Sequence, residues 1–194
     1  APAAGDRRVG HFGMIDAADE AVLAALLETA EGWLRARGAG IVRGPFSLSI
    51  NHVSGLLVDG FEHPPQILMD HHAGWLGDAV ERQGYARARD LVCYRLEMSQ
   101  RLPDRLRGMA ERAGDGIRLR PLDTRRIGDE IATVTRLYAA AWARNWGFVP
   151  MTEAETAAMA RDLRPILVPD FVQIAEDDGD PVGFILLLPN VNEA

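Results

Sequence analysis

The stretch that most constrains the fold is the segment 171–190, FVQIAEDDGDPVGFILLLPN. It contains two apolar runs, Phe171–Ala175 and Val182–Leu188, which flank an Asp178-Gly179 turn. Aspartate followed by glycine suits a type I′ turn because both central residues of that turn need a positive φ. The pattern therefore predicts an antiparallel hairpin in the second half of the chain.

The first half of the chain shows a β–α–β pattern. Val9–Ile15 alternates as a strand does, apolar residues recur at helical spacing through Asp19–Arg37, and Ile41–Arg43 is a second short strand. Two strands joined by a helical crossover form a parallel pair. Further along, Trp75–Arg82 is predicted as a short helix and Arg89–Leu96 as another strand.

The second half repeats this mixture of elements in a β–α–α–β–β order. Ile117–Leu122 is predicted as a strand, and a helical stripe extends from Ile127 to Trp142. Thr152 and Glu155 have the spacing of a capping box, so a second helix is expected to begin there. The fold class is therefore α/β in the broad α+β sense, with a mixed, partly antiparallel sheet flanked by helices.

Composition narrows the classes of function. A net charge of −7 argues against a nucleic-acid partner, and the longest apolar run, Phe184–Leu188, is too short to span a membrane. The single cysteine, Cys93, excludes an intrachain disulfide and suits the reducing cytoplasm. The first residue is not methionine and an apolar run lies close to the last residue, so we expect a piece of a longer protein.

Several motifs resemble the GNAT-type acyl-CoA N-acyltransferase superfamily. The hairpin turn has the form E-x-D-G-x-P-V-G-F, and the second half of the chain resembles the first half of such a domain. The first half resembles the end of such a domain, because the segment 79–85, AVERQGY, is similar to the family's FYEKLGF-like ending. Bacterial proteins with two such domains in one chain are similar to this sequence over the segments 44–51, 55–61, 64–65, 120–123 and 145–152.

The resemblance implies a division into three parts. Residues 1–97 would be the C-terminal part of a first GNAT-like domain, and residues 117–194 the N-terminal part of a second. The charged, arginine-rich residues 98–116 would be a linker. The alternative is that both parts together form one permuted GNAT-like sheet.

The resemblance also implies an activity, the transfer of an acyl group from acetyl-CoA or another acyl-CoA to a small-molecule amine. In this family the loop between the first two helices borders the acceptor pocket. We therefore expect Asn145, Trp146 and Phe148 to bind substrate, with Asn190 after the hairpin and Asn51 in a long polar loop. The alternative is that these residues serve packing and turns.

Two departures from the family pattern favour a second hypothesis, a non-catalytic GNAT-like binding or interaction module. The family's pyrophosphate loop, Q/R-x-x-G-x-G/A, corresponds here to residues 15–20, IDAADE, whose carboxylates would repel a phosphate. The family's general-acid tyrosine corresponds to Val80, which has no proton to donate. We therefore predict no cofactor-binding residue in this chain and can name no catalytic residue.

Two further expectations concern metals and assembly. His63, His71 and His72 suggest a metal site, but adjacent histidines rarely reach one ion and the segment lacks a paired H-x-x-x-H spacing, so no metal is predicted. Open sheet edges predict that the chain dimerises with a second copy.

Overall fold

The computed structural model of the protein describes residues 8–97, 101 and 103–193. The chain divides into two compact units: Ala1–Val92 with Asn192–Ala194, here the N-terminal unit, and Cys93–Val191, here the C-terminal unit. Helices accompany one parallel pair of strands and one antiparallel three-stranded sheet, so the predicted α+β class is confirmed. Residues 1–7, 98–100, 102 and 194 of the predicted domains and linker lie outside the described residues.

The N-terminal unit begins with the predicted β–α–β arrangement. Strand β1 (Val9–His11) pairs in parallel with β2 (Ile41–Arg43), and helix α1 (Glu20–Arg35) connects them. Strand β1 is shorter than predicted because the backbone of Phe46 crosses the chain at Gly13. A Cβ at Gly13 would lie 1.8 Å from the Phe46 carbonyl oxygen, so this approach requires glycine.

Helix α1 begins where the sequence predicts and ends at Arg35, slightly before the predicted Arg37. The Asp19 carboxylate accepts the Val22 N–H at 2.9 Å, and Gly38 has the positive φ of +84° that follows a helix end. The helix packs Leu23 and Leu27 against helix α2 (Leu76–Arg82). The core cluster of this unit is built from both helices and the end of β1: Phe12, Leu23, Leu27, Leu76, Ala79 and Val80.

The predicted strand at Arg89–Leu96 is wrong. The structure assigns no strand to these residues, and Leu91, Val92, Tyr94 and Leu96 are all exposed. An apolar run becomes a strand when a partner strand accepts its backbone hydrogen bonds. No described strand pairs with this segment, so its β propensity is not sufficient.

The C-terminal unit has the predicted β–α–α–β–β order, preceded by one further helix. That helix, α3 (Asp104–Ala113), lies within the predicted linker. The remaining elements are β3 (Ile117–Pro121), α4 (Ile127–Trp142), α5 (Glu153–Leu163), β4 (Val172–Asp177) and β5 (Asp180–Leu186). The assignment of these elements to domains stays a prediction, as does dimerisation.

The predicted hairpin is confirmed as β4 and β5. Asp178 and Gly179 have φ values of +48° and +88°, as a type I′ turn requires. Strand β4 lies between β3 and β5, and Val172 and Ile174 on one of its faces are buried with Leu122. Because side chains alternate along a strand, Glu176 faces the same side as these two residues and is also buried.

None of the helices in the described ranges is long and apolar enough to cross a membrane.

The capping box of α5 gives a first prediction. The Thr152 hydroxyl accepts the Glu155 N–H at 3.2 Å, and the Glu155 carboxylate accepts the Thr152 N–H at 2.7 Å. Replacing Thr152 by alanine should lower the opening free energy of α5 by about 1 kcal/mol, measured by hydrogen exchange of its amides. Thr156→Ala is the matched control because Thr156 lies inside the same helix, where alanine is favoured. Equal losses in both variants would contradict the capping role.

Candidate functional site

An open cavity of about 650 Å³ lies in the C-terminal unit. Its walls are formed by β3, the turn before α4, the first turns of α4, and the hairpin end of β4 and β5. The polar lining residues include Arg118, Arg120, Glu130, Thr133 and Glu176. The volume is within the range of roughly 300–1,000 Å³ that is typical of small-molecule sites.

A network of buried ions joins α4 to the sheet at this cavity. Arg120 donates from Nη1 to Oε1 of Glu130 at 2.8 Å and from Nε to Oε1 of Glu176 at 2.5 Å. Arg118 donates to the other oxygen of Glu176. Glu130 and Glu176 are only 3% and 6% exposed. The Arg120 guanidinium therefore binds carboxylates from two different elements through its planar fork, and Arg118 adds a second cation at Glu176.

The strand register explains this arrangement. Arg118 lies opposite Glu176 across the β3–β4 pair, and Arg120 lies opposite Ile174. Arg118, Arg120 and Glu176 therefore project from one face of the sheet. Glu130 approaches that face from the first turn of α4. The ion network thus depends on pairing between residues that are far apart in the sequence.

Hydrogen bonds fix the charge states in this network. The hydrogen bond from Arg120 makes the largest contribution to holding the pKa of Glu176 below its ordinary value. The bond from Arg118 acts in the same direction, and burial opposes the shift. Bonds to Glu176 and then Glu130 raise the pKa of Arg120. At neutral pH, Arg120 is therefore a cation and Glu176 an anion.

This lowered pKa predicts how stability depends on pH. A carboxylate whose pKa is lower in the folded state stabilises the fold above its unfolded pKa, and the contribution is lost as the pH falls through the folded pKa. We expect hydrogen-exchange protection of β4 to decline below about pH 4.5, the ordinary value for glutamate. Glu176→Gln should flatten this decline, whereas replacing the exposed neighbour, Asp177→Asn, should preserve it. If the protection of β4 declines at low pH to the same extent in Glu176→Gln as in the wild type, the decline does not come from Glu176.

Two groups in the cavity wall retain unused hydrogen-bonding capacity. Within the described residues, Oε2 of Glu130 is buried without a hydrogen-bond partner. Thr133 lies three residues further along α4, and its hydroxyl makes no hydrogen bond to any described group. Thr135 on the same helix instead donates to the Ile131 carbonyl at 2.7 Å. The wall of the cavity therefore contains a hydroxyl without a described partner and, beneath its surface, a carboxylate oxygen without one.

The charges around the cavity balance. The four lining arginines are Arg118, Arg120, Arg125 and Arg126, and the four lining carboxylates are Asp123, Asp129, Glu130 and Glu176. Arg125 binds Asp123 at 3.3 Å and Arg126 binds Asp129 at 3.2 Å, so each arginine has a carboxylate partner. An anionic ligand would have to compete with these carboxylates. Despite its four arginines, the cavity has no surplus of positive charge.

Three of the predicted substrate-binding residues lie in the turn after α4. The Phe148 N–H donates to the Asn145 carbonyl at 3.2 Å, with Trp146 between them in the chain. The Phe148 ring lies 5.9 Å from the Tyr138 ring, and the latter stacks on Trp142 at 5.5 Å. The structure therefore brings Asn145, Trp146 and Phe148 together beside an aromatic cluster. Their binding role stays a prediction.

The other two predicted residues lie elsewhere. Asn190 follows β5 in the C-terminal unit, and its side-chain nitrogen is buried. Asn51 belongs to the N-terminal unit, where its N–H donates to the Ser49 hydroxyl at 3.2 Å. The Ser49 hydroxyl also lies 3.1 Å from Nδ1 of His52. These bonds hold the loop around Asn51 together. A substrate role for Asn51 and Asn190 also stays a prediction.

The N-terminus of α1 shows what the acidic residues there do. Asp16 accepts the Ala17 N–H at 2.9 Å, and Asp19 accepts the Val22 N–H at the same distance. Glu20 forms an ion pair with Arg82. These carboxylates occupy the end of the helix where a pyrophosphate would otherwise accept hydrogen bonds from backbone N–H groups. Val80, at the position of the family's tyrosine, is buried in the core.

The histidines have structural partners. Nε2 of His72 accepts the Leu57 N–H at 2.8 Å, so the proton of the neutral ring is on Nδ1, which lies 3.0 Å from the Ala73 carbonyl. His71 bonds the His63 carbonyl at 3.1 Å. Both ring nitrogens of His72 are thus engaged, and no group of His, Cys, Asp and Glu suited to a metal ion occurs among the described residues.

Comparison with known proteins gives two curated relatives. The chain is 46% identical over 187 residues to bacterial ceramide synthase of Caulobacter vibrioides, covering 95% of this chain and 49% of that protein. It is 39% identical over 187 residues to protein YghO of Escherichia coli K12, covering 95% of this chain and 48% of that protein. The chain therefore spans about half the length of the curated relatives it matches. No family model and no solved structure matches it.

Proposed function

We propose that this chain is part of an acyltransferase that joins an acyl group to the nitrogen of a long-chain amino alcohol. The observation that carries the proposal is the 46% identity to bacterial ceramide synthase over 95% of this chain. A ceramide is the N-acyl derivative of a long-chain amino alcohol, so its synthesis forms an amide. A shared fold does not by itself transfer a function, but close identity over nearly the whole chain supports this one.

The proposed acyl donor is an acyl-CoA, and the proposed superfamily is GNAT. This part of the proposal rests on the resemblance of the β–α–α–β–β order and of the E-x-D-G-x-P-V-G-F turn. The ammonium group of the acceptor first gives one proton to solvent. The neutral nitrogen then attacks the thioester carbonyl, the N–C bond forms, the C–S bond breaks, and a second proton passes from nitrogen to the leaving thiolate. Holding both reactants in line supplies much of the rate enhancement in such a transfer. A cytoplasmic location fits an acyl-CoA donor.

The two units would contribute differently to this reaction. The N-terminus of α1 is capped by its own carboxylates, which disfavours a pyrophosphate there. Val80 offers no acid to the thiolate. We therefore propose that the N-terminal unit has a structural role and that the C-terminal unit contacts the acceptor.

The test is an acceptor panel on the full-length protein that contains this chain. Palmitoyl-CoA is incubated with sphinganine, octadecylamine, or octadecanol, and the products are identified by mass spectrometry. We expect the N-palmitoyl amide of sphinganine and no ester of octadecanol. Absence of amide with both amines, from a folded protein, would overturn the proposal and favour the non-catalytic module.

A further inference from the structure

We propose that the cavity between α4 and the β3–β4–β5 sheet binds the protonated amino-alcohol head of the acceptor, with Glu130 and Thr133 as its contacts. The inference deepens the proposed function, because it assigns a binding site to the class of acceptor named there. It differs from the prediction made from sequence, which placed the acceptor at the turn after α4.

The first argument is the unsatisfied oxygen of Glu130. A buried carboxylate normally has hydrogen bonds to both oxygens, because an unsatisfied buried acceptor is costly. Arg120 supplies one bond, to Oε1, and Oε2 has no partner among the described residues. An ammonium group is the strongest donor that a ligand could bring to this oxygen. Oε2 is buried in the structure, so its contact with a ligand requires rotation about the broad last torsion of Glu130, which would also move Oε1 relative to Arg120.

The second argument is the position of Thr133. Residues three apart on a helix are neighbours on one face, so Glu130 and Thr133 line the same wall of the cavity. The hydroxyl of Thr133 makes no hydrogen bond to any described group. It can donate to, or accept from, a hydroxyl that neighbours the ammonium. A carboxylate beside a hydroxyl therefore matches an amine beside an alcohol.

The third argument is electrostatic. Every lining arginine is bound to a carboxylate, so an anion would enter a cavity in which the positive charge is already matched by negative charge. An ammonium group brings a cation to Glu130, whose carboxylate has Arg120 as its one ion-pair partner among the described residues. It also adds positive charge beside Arg120, which is shared between the buried carboxylates Glu130 and Glu176. The balance of the cavity thus favours a cation over a phosphate or carboxylate.

The binding experiment uses water-soluble probes with the full-length protein. 2-Amino-1,3-propanediol carries the ammonium and hydroxyl groups, and glycerol is its neutral analogue of the same size. Binding is followed by chemical-shift changes at the backbone amides of residues 127–135. We expect saturable shifts with the aminodiol and at least about tenfold weaker binding of glycerol.

Variants separate binding from folding. Glu130→Gln keeps the shape but removes the charge, and it should weaken aminodiol binding by about tenfold or more. Thr133→Met places a larger side chain at the same wall and removes the hydroxyl, and it should weaken binding even if Glu130→Gln folds poorly. Glu153→Gln, an exposed glutamate on α5, is the matched control and should bind normally.

The outcomes decide the inference independently of catalysis. Equal binding of the aminodiol by wild type, Glu130→Gln and Thr133→Met would overturn it, as would saturable binding of inorganic phosphate in place of the aminodiol. Failure of acyl transfer with normal aminodiol binding would overturn the proposed function alone. Amide formation with an unchanged KM for sphinganine in Thr133→Met would leave the proposed function intact and exclude this cavity as the acceptor site.

Discussion

Replacing Arg120 by alanine is expected to lower the opening free energy of the C-terminal unit by about 3 kcal/mol. The reason is that Glu130, which is 3% exposed, would remain buried without the guanidinium that binds its carboxyl group. Removing one partner of a buried ion pair costs far more stability than the intact pair contributes. The reason is that the remaining charged group is then buried without a counter-ion. The same change would also remove the ion pair that links α4 to the sheet.

Hydrogen exchange of the β4 amides measures this loss within the chain, which has two units and is not expected to unfold in one step. Arg125→Ala is the matched control, because the side chain of Arg125 is 89% exposed and its ion pair with Asp123 is open to solvent. That control should change the free energy by less than about 0.5 kcal/mol. Similar losses in both variants would show that Arg120 is not a buried compensating charge.

Replacing Ile174 by alanine is expected to cost about 3 kcal/mol, within the usual range for a fully buried isoleucine. Ile174 is 0% exposed at the centre of β4 and packs with Leu122 and Val172. The loss combines the transfer free energy of the deleted methyl groups with the cavity that remains. It should be visible as faster exchange of the amides in β3, β4 and β5 together.

Ile185→Ala supplies the comparison for Ile174. Ile185 lies on β5 and is 52% exposed, so the same deletion there removes little buried surface. We expect a cost below about 1 kcal/mol. A loss at Ile185 equal to that at Ile174 would mean that the exposed face of the sheet is covered in the full-length protein.

Local chemistry explains which elements were predicted correctly from the sequence. The Asp178-Gly179 turn, the Thr152 capping box and the Asp19 cap each depend on residues close together in the chain. Arg89–Leu96 failed because strand formation depends on a partner that the segment's own composition does not provide. The end of β1 was misplaced because the crossing of Phe46 over Gly13 is a tertiary contact.

The cavity was missed for the same reason. Arg120 and Glu176 are 56 residues apart in sequence, and their contact depends on the pairing of β3 with β4. A signal for the buried carboxylates was nevertheless present. Glu130 falls on the apolar stripe of α4, three residues after Ile127 and four before Val134, and Glu176 continues the alternation of Val172 and Ile174. A charged residue at a core position indicates a buried partner.

The central claim, acyl transfer from a thioester to an amine, is tested most directly by the stoichiometry of the two products. The full-length protein would be given palmitoyl-CoA and sphinganine, with free CoA thiol and N-palmitoyl amide measured in the same samples. The account predicts one amide formed for each thiol released, with no thiol release above background when sphinganine is omitted. Thiol release without amide would contradict it, because the acyl group would then have been passed to water.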